Sequence, residues 1–164
     1  MRYLLDADVF IRAKNLHYGL DFCPAFWDWL IKSNQTGQVF SIEKVKGEIE
    51  RGNDELTEWS KTQDELFFLK PDSGIFPAME QVTNWVNDND YTASAKNTFL
   101  QAADYYLIAH ALTDDFVVVT HELSANTANK VKIPNVCEGV GLKVMTPYEM
   151  LRDEQVRFVL ERVT

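Results

Sequence analysis

Along this chain, short continuous apolar runs alternate with longer stretches of helical period. Tyr3–Leu5 is such a run and predicts a buried strand, which ends in the acids Asp6 and Asp8. Pro24 opens "PAFWDWLIKSN", where Phe26, Trp29, Leu30 and Ser33 follow helical spacing until "NQTG" ends the segment. "SIEKVKGEIERG" predicts a helix with Ser41 as N-cap and a narrow stripe of Ile42, Val45 and Ile49. "DELTEWSKTQDE" predicts a polar helix, "LFFL" (66 to 69) a second buried strand, and "PAMEQVTNWVND" a helix through Val82, Trp85 and Val86. Residues 87 to 98 are polar, lack a period and read as a surface loop. "FLQAADYYLIAHAL" then predicts one helix, the β-branched "FVVVT" a strand, and "KVMT" a last short strand.

Strands alternating with helices predict an α/β fold, its parallel sheet covered on both faces. Such sheets bind ligands beyond the carboxyl ends of their strands, and Asp6, Asp8 and Glu122 fall at those ends. Asp104 shares a helical stripe with Leu100, Leu107, Ile108 and Ala111, which turns its carboxylate towards the core. A carboxylate there requires a cation, a hydrogen-bond network or an opening. Glu48 lies at the edge of the Val45/Ile49 stripe, near the sheet.

A hydrophobic content of 46% in 164 residues suits one globular domain, residues 1–164, with a sizeable core. The formal charge of -9 argues against non-specific coating of nucleic acid. It leaves room for a nuclease, because acids gathered around a divalent cation no longer repel a phosphate backbone. Arg12, Lys14, Lys44, Lys46, Arg51, Lys96, Lys130 and Lys132 are candidates for a basic rim. Cys23 and Cys137 lie far apart without ligand spacing, so free core thiols are expected. With no leader before the first strand and no apolar stretch of spanning length, a cytoplasmic protein without a membrane partner is expected.

The acids and their surroundings resemble the PIN-domain family of metal-dependent ribonucleases over most of the chain. "YLLDADVFI" with Asp6 is similar to the family's first motif and "SIEKVKGEIE" with Glu48 to its second. "AADYYLIAHAL" with Asp104 is similar to the third, and "VVVTHE" with Thr120 and Glu122 to the fourth. The stretch "KIPNVCEGVGLKVMTPYEML" resembles a PIN-like subgroup of uncharacterised bacterial proteins, where a short helix and a last strand complete the sheet. Asp8 stands where the family more often has Asn or Ser, and Glu122 where it more often has Asp; both keep oxygen ligands suited to Mg²⁺ or Mn²⁺.

The resemblance implies a PIN-like three-layer α/β/α fold with a parallel sheet of about four to five strands. It also implies an Mg²⁺- or Mn²⁺-dependent endoribonuclease. Asp6 and Asp104 would be direct or water-mediated ligands, Glu48 and Glu122 a second ligand set or water-orienting pair, Asp8 a further ligand, and Thr120 a hydrogen-bonding partner. Arg12, Lys14, Lys44 and Lys96 would contact RNA. The physiological role implied is the toxin of a VapBC-like toxin–antitoxin pair. RNA is then the substrate, and an antitoxin encoded nearby and a second copy of the chain are the protein partners.

Other readings compete. "LLDADVF" also fits the nucleophile motif of haloacid-dehalogenase-like phosphatases, but the only Asp-Asp pair, Asp114-Asp115, precedes Thr120 instead of following it. A receiver domain lacks its mid-chain Asp, and a PIN-like scaffold that binds RNA or protein without cleaving is the non-enzymatic alternative. Residue by residue, Asp8 also fits a cap, Glu48 a pair with Lys44 or Arg51, and Glu122 a first-turn acid on a helix dipole. His17, His110 and His121 read as isolated, Phe22, Phe26, Trp29 and Leu30 as core, and Trp27 as an exposed contact. In the tail "DEQVRFVLERV", Val156, Val159, Leu160 and Val163 have helical spacing, and docking on the core is favoured over presentation to another chain.

Overall fold

The structure, a computed structural model, describes residues 1–161. Its strands are β1 (Tyr3–Leu5), β2 (Val39–Ile42), β3 (Phe68–Leu69), β4 (Val117–Val119) and β5 (Val144–Met145). The helices are α1 (Ala7–Arg12), α2 (Pro24–Gln35), α3 (Glu43–Arg51), α4 (Glu55–Lys61), α5 (Phe76–Asp88), α6 (Ala93–Gln101), α7 (Ala103–Asp114), α8 (Ile133–Val140) and α9 (Pro147–Asp153).

All pairings are parallel, in the order β3-β2-β1-β4-β5. Tyr3 lies opposite Val39 on one side and Val117 on the other, which makes β1 the central strand. Every residue of β1 and β4 is buried, because helices cover both sheet faces and a strand there needs a continuous apolar run instead of alternation. Tyr3, Leu4, Leu5, Phe10, Leu107, Ile108 and Val118 belong to one continuous apolar core. Among the described residues no helix is long and apolar enough to cross a membrane.

The chain builds outwards from β1 through β2 to β3, then returns to the other side of β1 for β4 and β5. The topological switch point therefore lies between β1 and β4, and the crevice beyond their carboxyl ends is the place for a ligand.

Several local expectations are corrected. Ser41 is a residue of β2, not a cap: its hydroxyl donates to the Leu5 carbonyl across the sheet at 2.6 Å, and α3 starts at Glu43 after Ile42 without a side-chain cap. The loop expected over 87 to 98 shrinks because Thr92 caps α6 by accepting from the Ala95 amide. The single helix expected after it is broken at Ala102, which takes an extended conformation and separates α6 from α7. Trp27 is core, with its indole N–H donating to the Tyr18 carbonyl at 2.7 Å, whereas Phe22 is 67% exposed. Cys137 is buried and Cys23 half-buried, and both are free.

The tail departs most. α9 ends at Asp153, Gln155 adopts a left-handed backbone (φ 54) two residues on, and the chain continues outside any helix. Val156 and Phe158 pack on the core with a period of two, Phe158 against Tyr18 and Phe26, while Val159 and Leu160 are exposed. Val163, the last position of the expected stripe, lies outside the described residues.

Candidate functional site

Asp6 follows β1 directly, and its backbone N–H continues the ladder by donating to the Val119 carbonyl of β4 at 2.9 Å. Its extended backbone makes it the N-cap of α1: Oδ1 accepts from the Ala7 amide at 2.7 Å. The capping reading raised for Asp8 thus belongs to Asp6, which leaves its other oxygen, Oδ2, facing Thr120 at the end of β4. Thr120 Oγ1 stands 2.9 Å from Asp6 Oδ2 and 3.2 Å from Asp8 Oδ2, so its single proton is shared between two carboxylates. Asp8, in the first turn of α1, also accepts from the His121 amide at 3.1 and 3.2 Å. Asp6 is 6% exposed and Thr120 1%. Burial, then the charges of Asp8 and Asp104, push the Asp6 carboxyl well above its ordinary range; hydrogen bonds from Thr120 and Ala7 oppose the shift.

The break at Ala102 places Asp104 in the first turn of α7, half-buried. Burial raises its pKa to about 7, with Glu122, Glu48 and Asp8 adding repulsion and Lys130 opposing it. Glu48, in α3, is raised by burial and by Asp8, and Arg51 counters this by charge. No ion pair joins Glu48 to Lys44 or Arg51 among the described residues: Lys44 lies instead over the Tyr106 ring, 4.2 Å from its centroid. Glu122 caps α8, accepting from the Ile133 amide at 2.9 Å, and pairs with Lys130 at 3.4 Å.

The acids expected at the site are therefore electrostatic neighbours at one end of the sheet, and among the described residues Lys130 is the cation in an ion pair with one of them, Glu122. Among the described residues, no three of them already surround one point at ligand distance. Their donor chemistry fits a hard divalent cation: hard oxygens, with Asp6 and Asp104 pushed towards neutrality by burial first and by neighbouring carboxylates second. A cavity of about 270 Å³ opens beside Asp104, between Phe99 and Lys130. A groove of about 770 Å³ follows α3 past Glu48, with Lys44, Lys46, Arg51 and Lys70 along it.

Of the other expected RNA contacts, Arg12 is exposed, Lys14 is paired with Asp54 at 3.0 Å, and Lys96 donates to the Asn87 carbonyl at 3.0 Å. Asp114 and Asp115 sit before β4, at the sheet's opposite edge, so the acid pair of a phosphatase reading does not reach the site. The histidines are not all isolated. His17 and His121 meet with ring centroids 5.6 Å apart beside Tyr148, an arrangement with no short-range signal because His17 and Tyr148 lie 131 positions apart. His110 is buried in α7, and that burial lowers its pKa.

A five-stranded parallel sheet in this order, flanked by helices, makes this an α/β protein whose fold agrees with the PIN-like arrangement expected from the sequence. The chain belongs to the family described as "Domain of unknown function (DUF4411)", whose model matches residues 3–158. It is similar in fold to a chain in the crystal structure of VapBC2 from Rickettsia felis bound to a DNA fragment from their promoter. That likeness has a TM-score of 0.54 and 12% identity, and covers 89% of this chain and 98% of that one. No curated protein matches the sequence.

Proposed function

We propose that this protein is a metal-dependent endoribonuclease that hydrolyses RNA phosphodiester bonds, acting in the cytoplasm as the toxin of a type II toxin–antitoxin pair. The observation that carries this reading is the meeting of two carboxylates at the switch point, Asp6 and Asp8, on the single hydroxyl of Thr120, with no ion pair to either among the described residues. Acids that repel one another at the end of a sheet cost stability, and binding a cation offsets that cost.

Asp6, Asp104, Glu48 and Glu122, with Asp8 as a further ligand, would hold Mg²⁺ or Mn²⁺. The bound ion would acidify a water and neutralise charge developing on the phosphoryl group. The chain's own part is positioning: Thr120 orients Asp6 and Asp8 with one hydroxyl, and the adjacent His121 amide also donates to Asp8. Arg12 and Lys44 would hold the RNA backbone. Lys14 and Lys96 are engaged with Asp54 and with the Asn87 carbonyl, and would have to leave these partners to contact RNA. The toxin role is supported by the fold shared with the VapBC2 chain.

A non-cleaving PIN-like scaffold is favoured by one observation: Glu122 already has partners in Lys130 and the Ile133 amide. Cleavage of end-labelled single-stranded RNA separates the readings. The nuclease reading expects cleavage with Mn²⁺ or Mg²⁺, none in EDTA, and a loss on the order of a hundredfold or more in Asp6→Asn. A folded wild-type protein that cleaves no RNA would favour the scaffold.

A further inference from the structure

We infer that His17, His121 and Tyr148 form a platform on which an unpaired base of the RNA strand stacks beside the acid cluster. This rests on the nuclease reading and names a contact that fixes the strand there.

The three rings come from separate parts of the chain: the end of the turn after α1, the residue after Thr120, and the first turn of α9. Their centroids are mutually 5.5 to 5.6 Å apart; the two histidines are tilted by 34°, Tyr148 stands edge-on to both at 80° and 69° and buttresses them, and its hydroxyl meets His17 Nε2 at 2.9 Å, which leaves the exposed His17 ring as the stacking face. The cluster adjoins the acids through the main chain, since the His121 amide binds Asp8 and its neighbour Thr120 binds Asp6. A base on these rings would therefore lie next to a phosphate at the carboxylates. Arg12, exposed in the last turn of α1, immediately precedes the turn that delivers His17.

A packing role accounts poorly for this arrangement. His17 is exposed, His121 and Tyr148 are half-buried, and none of the three belongs to the apolar core. Ordering three polar rings at the surface costs rotamer entropy with little apolar burial in return. The backbone, too, is irregular where it delivers His17: residues Ala13–His17 form a π-helical turn. Continuing the regular helix would turn His17 away by roughly 100° for each residue of register, and π turns of this kind concentrate at functional sites. Open polar rings recognise single strands, because bases already stacked in a duplex have no free face.

The test is steady-state cleavage of a short single-stranded RNA and of copies carrying one abasic nucleotide at each position around the mapped cut. With wild type, one abasic position should raise KM about tenfold and leave kcat within about twofold. His17→Ala/Tyr148→Leu should raise KM for intact RNA by a similar factor and become indifferent to that abasic position. His17→Phe, which keeps a ring but loses the hydrogen bond, should restore KM, with thermal melting confirming that every variant is folded. A double variant that still loses tenfold at that position, or a change in kcat alone, overturns the platform while leaving the nuclease reading intact. A wild type that cleaves no RNA overturns both.

Discussion

Asp104 joins two demands that a folded chain rarely places on one side chain: it faces the core side of its helix and it stands among like charges. Its pKa, raised to about 7, means that the native state holds a proton which the unfolded chain releases at an ordinary carboxyl pKa. The stability linked to this group is therefore fully present below about pH 4 and is lost as pH rises through about 7 in metal-free protein. Asp104→Asn should stabilise the metal-free protein above pH 7 by on the order of 2 kcal/mol, allowing for solvent screening of a half-buried group. The gain should vanish near pH 4, as thermal melting in EDTA would show. An equal gain at both pH values would mean that charge is not its cause. Asp104 was legible in the sequence because its helical neighbours at three and four positions are apolar. Lys130 could be named only as one rim base among several, because its approach to Glu122 and Asp104 depends on how the segment after β4 returns.

At the scale of elements, the continuous apolar runs of β1 and β4 and the periodic stripes of α2 and α5 translated directly into structure. β2 did not, because "VFSI" carries a serine that reads as a cap until the neighbouring strand supplies a carbonyl for it. Ser41→Ala should therefore cost about 1–3 kcal/mol, read as a lower urea midpoint at unchanged slope, since Ser41 is fully buried and the Leu5 carbonyl loses that donor. The break between α6 and α7 has no Gly or Pro to announce it, yet it puts Asp104 in a first turn. The tail misled for a different reason: its apolar residues fit a helical period, but the left-handed Gln155 keeps the helix from continuing, and Val156 and Phe158 reach the core from an irregular segment. Deleting residues 154–164 should lower the melting temperature by removing Phe158 from Tyr18 and Phe26 and Glu154 from Tyr3 and Gln38. An unchanged melting temperature would show that these contacts add nothing.

Over the whole molecule, strand order matters more than any single motif. Because the chain reverses its direction of growth at β1, Asp6 and Thr120, separated by 114 positions, end side by side, and α1, α3 and α7 bring further acids to the same edge. A formal charge of -9 on such a protein also defines what an inhibitor should look like. On the proposed toxin role, a protein inhibitor that closes this site should enter with Lys or Arg and compete with the metal, so metal should weaken the complex. Mass action gives a further expectation: Mn²⁺ at a hundred times its dissociation constant should stabilise the wild type by about 2.7 kcal/mol, and Asp6→Asn should show little of this. The central claim is that the carboxylates at the switch point hold a divalent cation, and a Mn²⁺ titration followed by electron paramagnetic resonance tests it most directly. The account predicts saturable binding by wild type, weakened at least tenfold in both Asp6→Asn and Asp104→Asn; equal binding by wild type and both variants, or none by any of them, would contradict it.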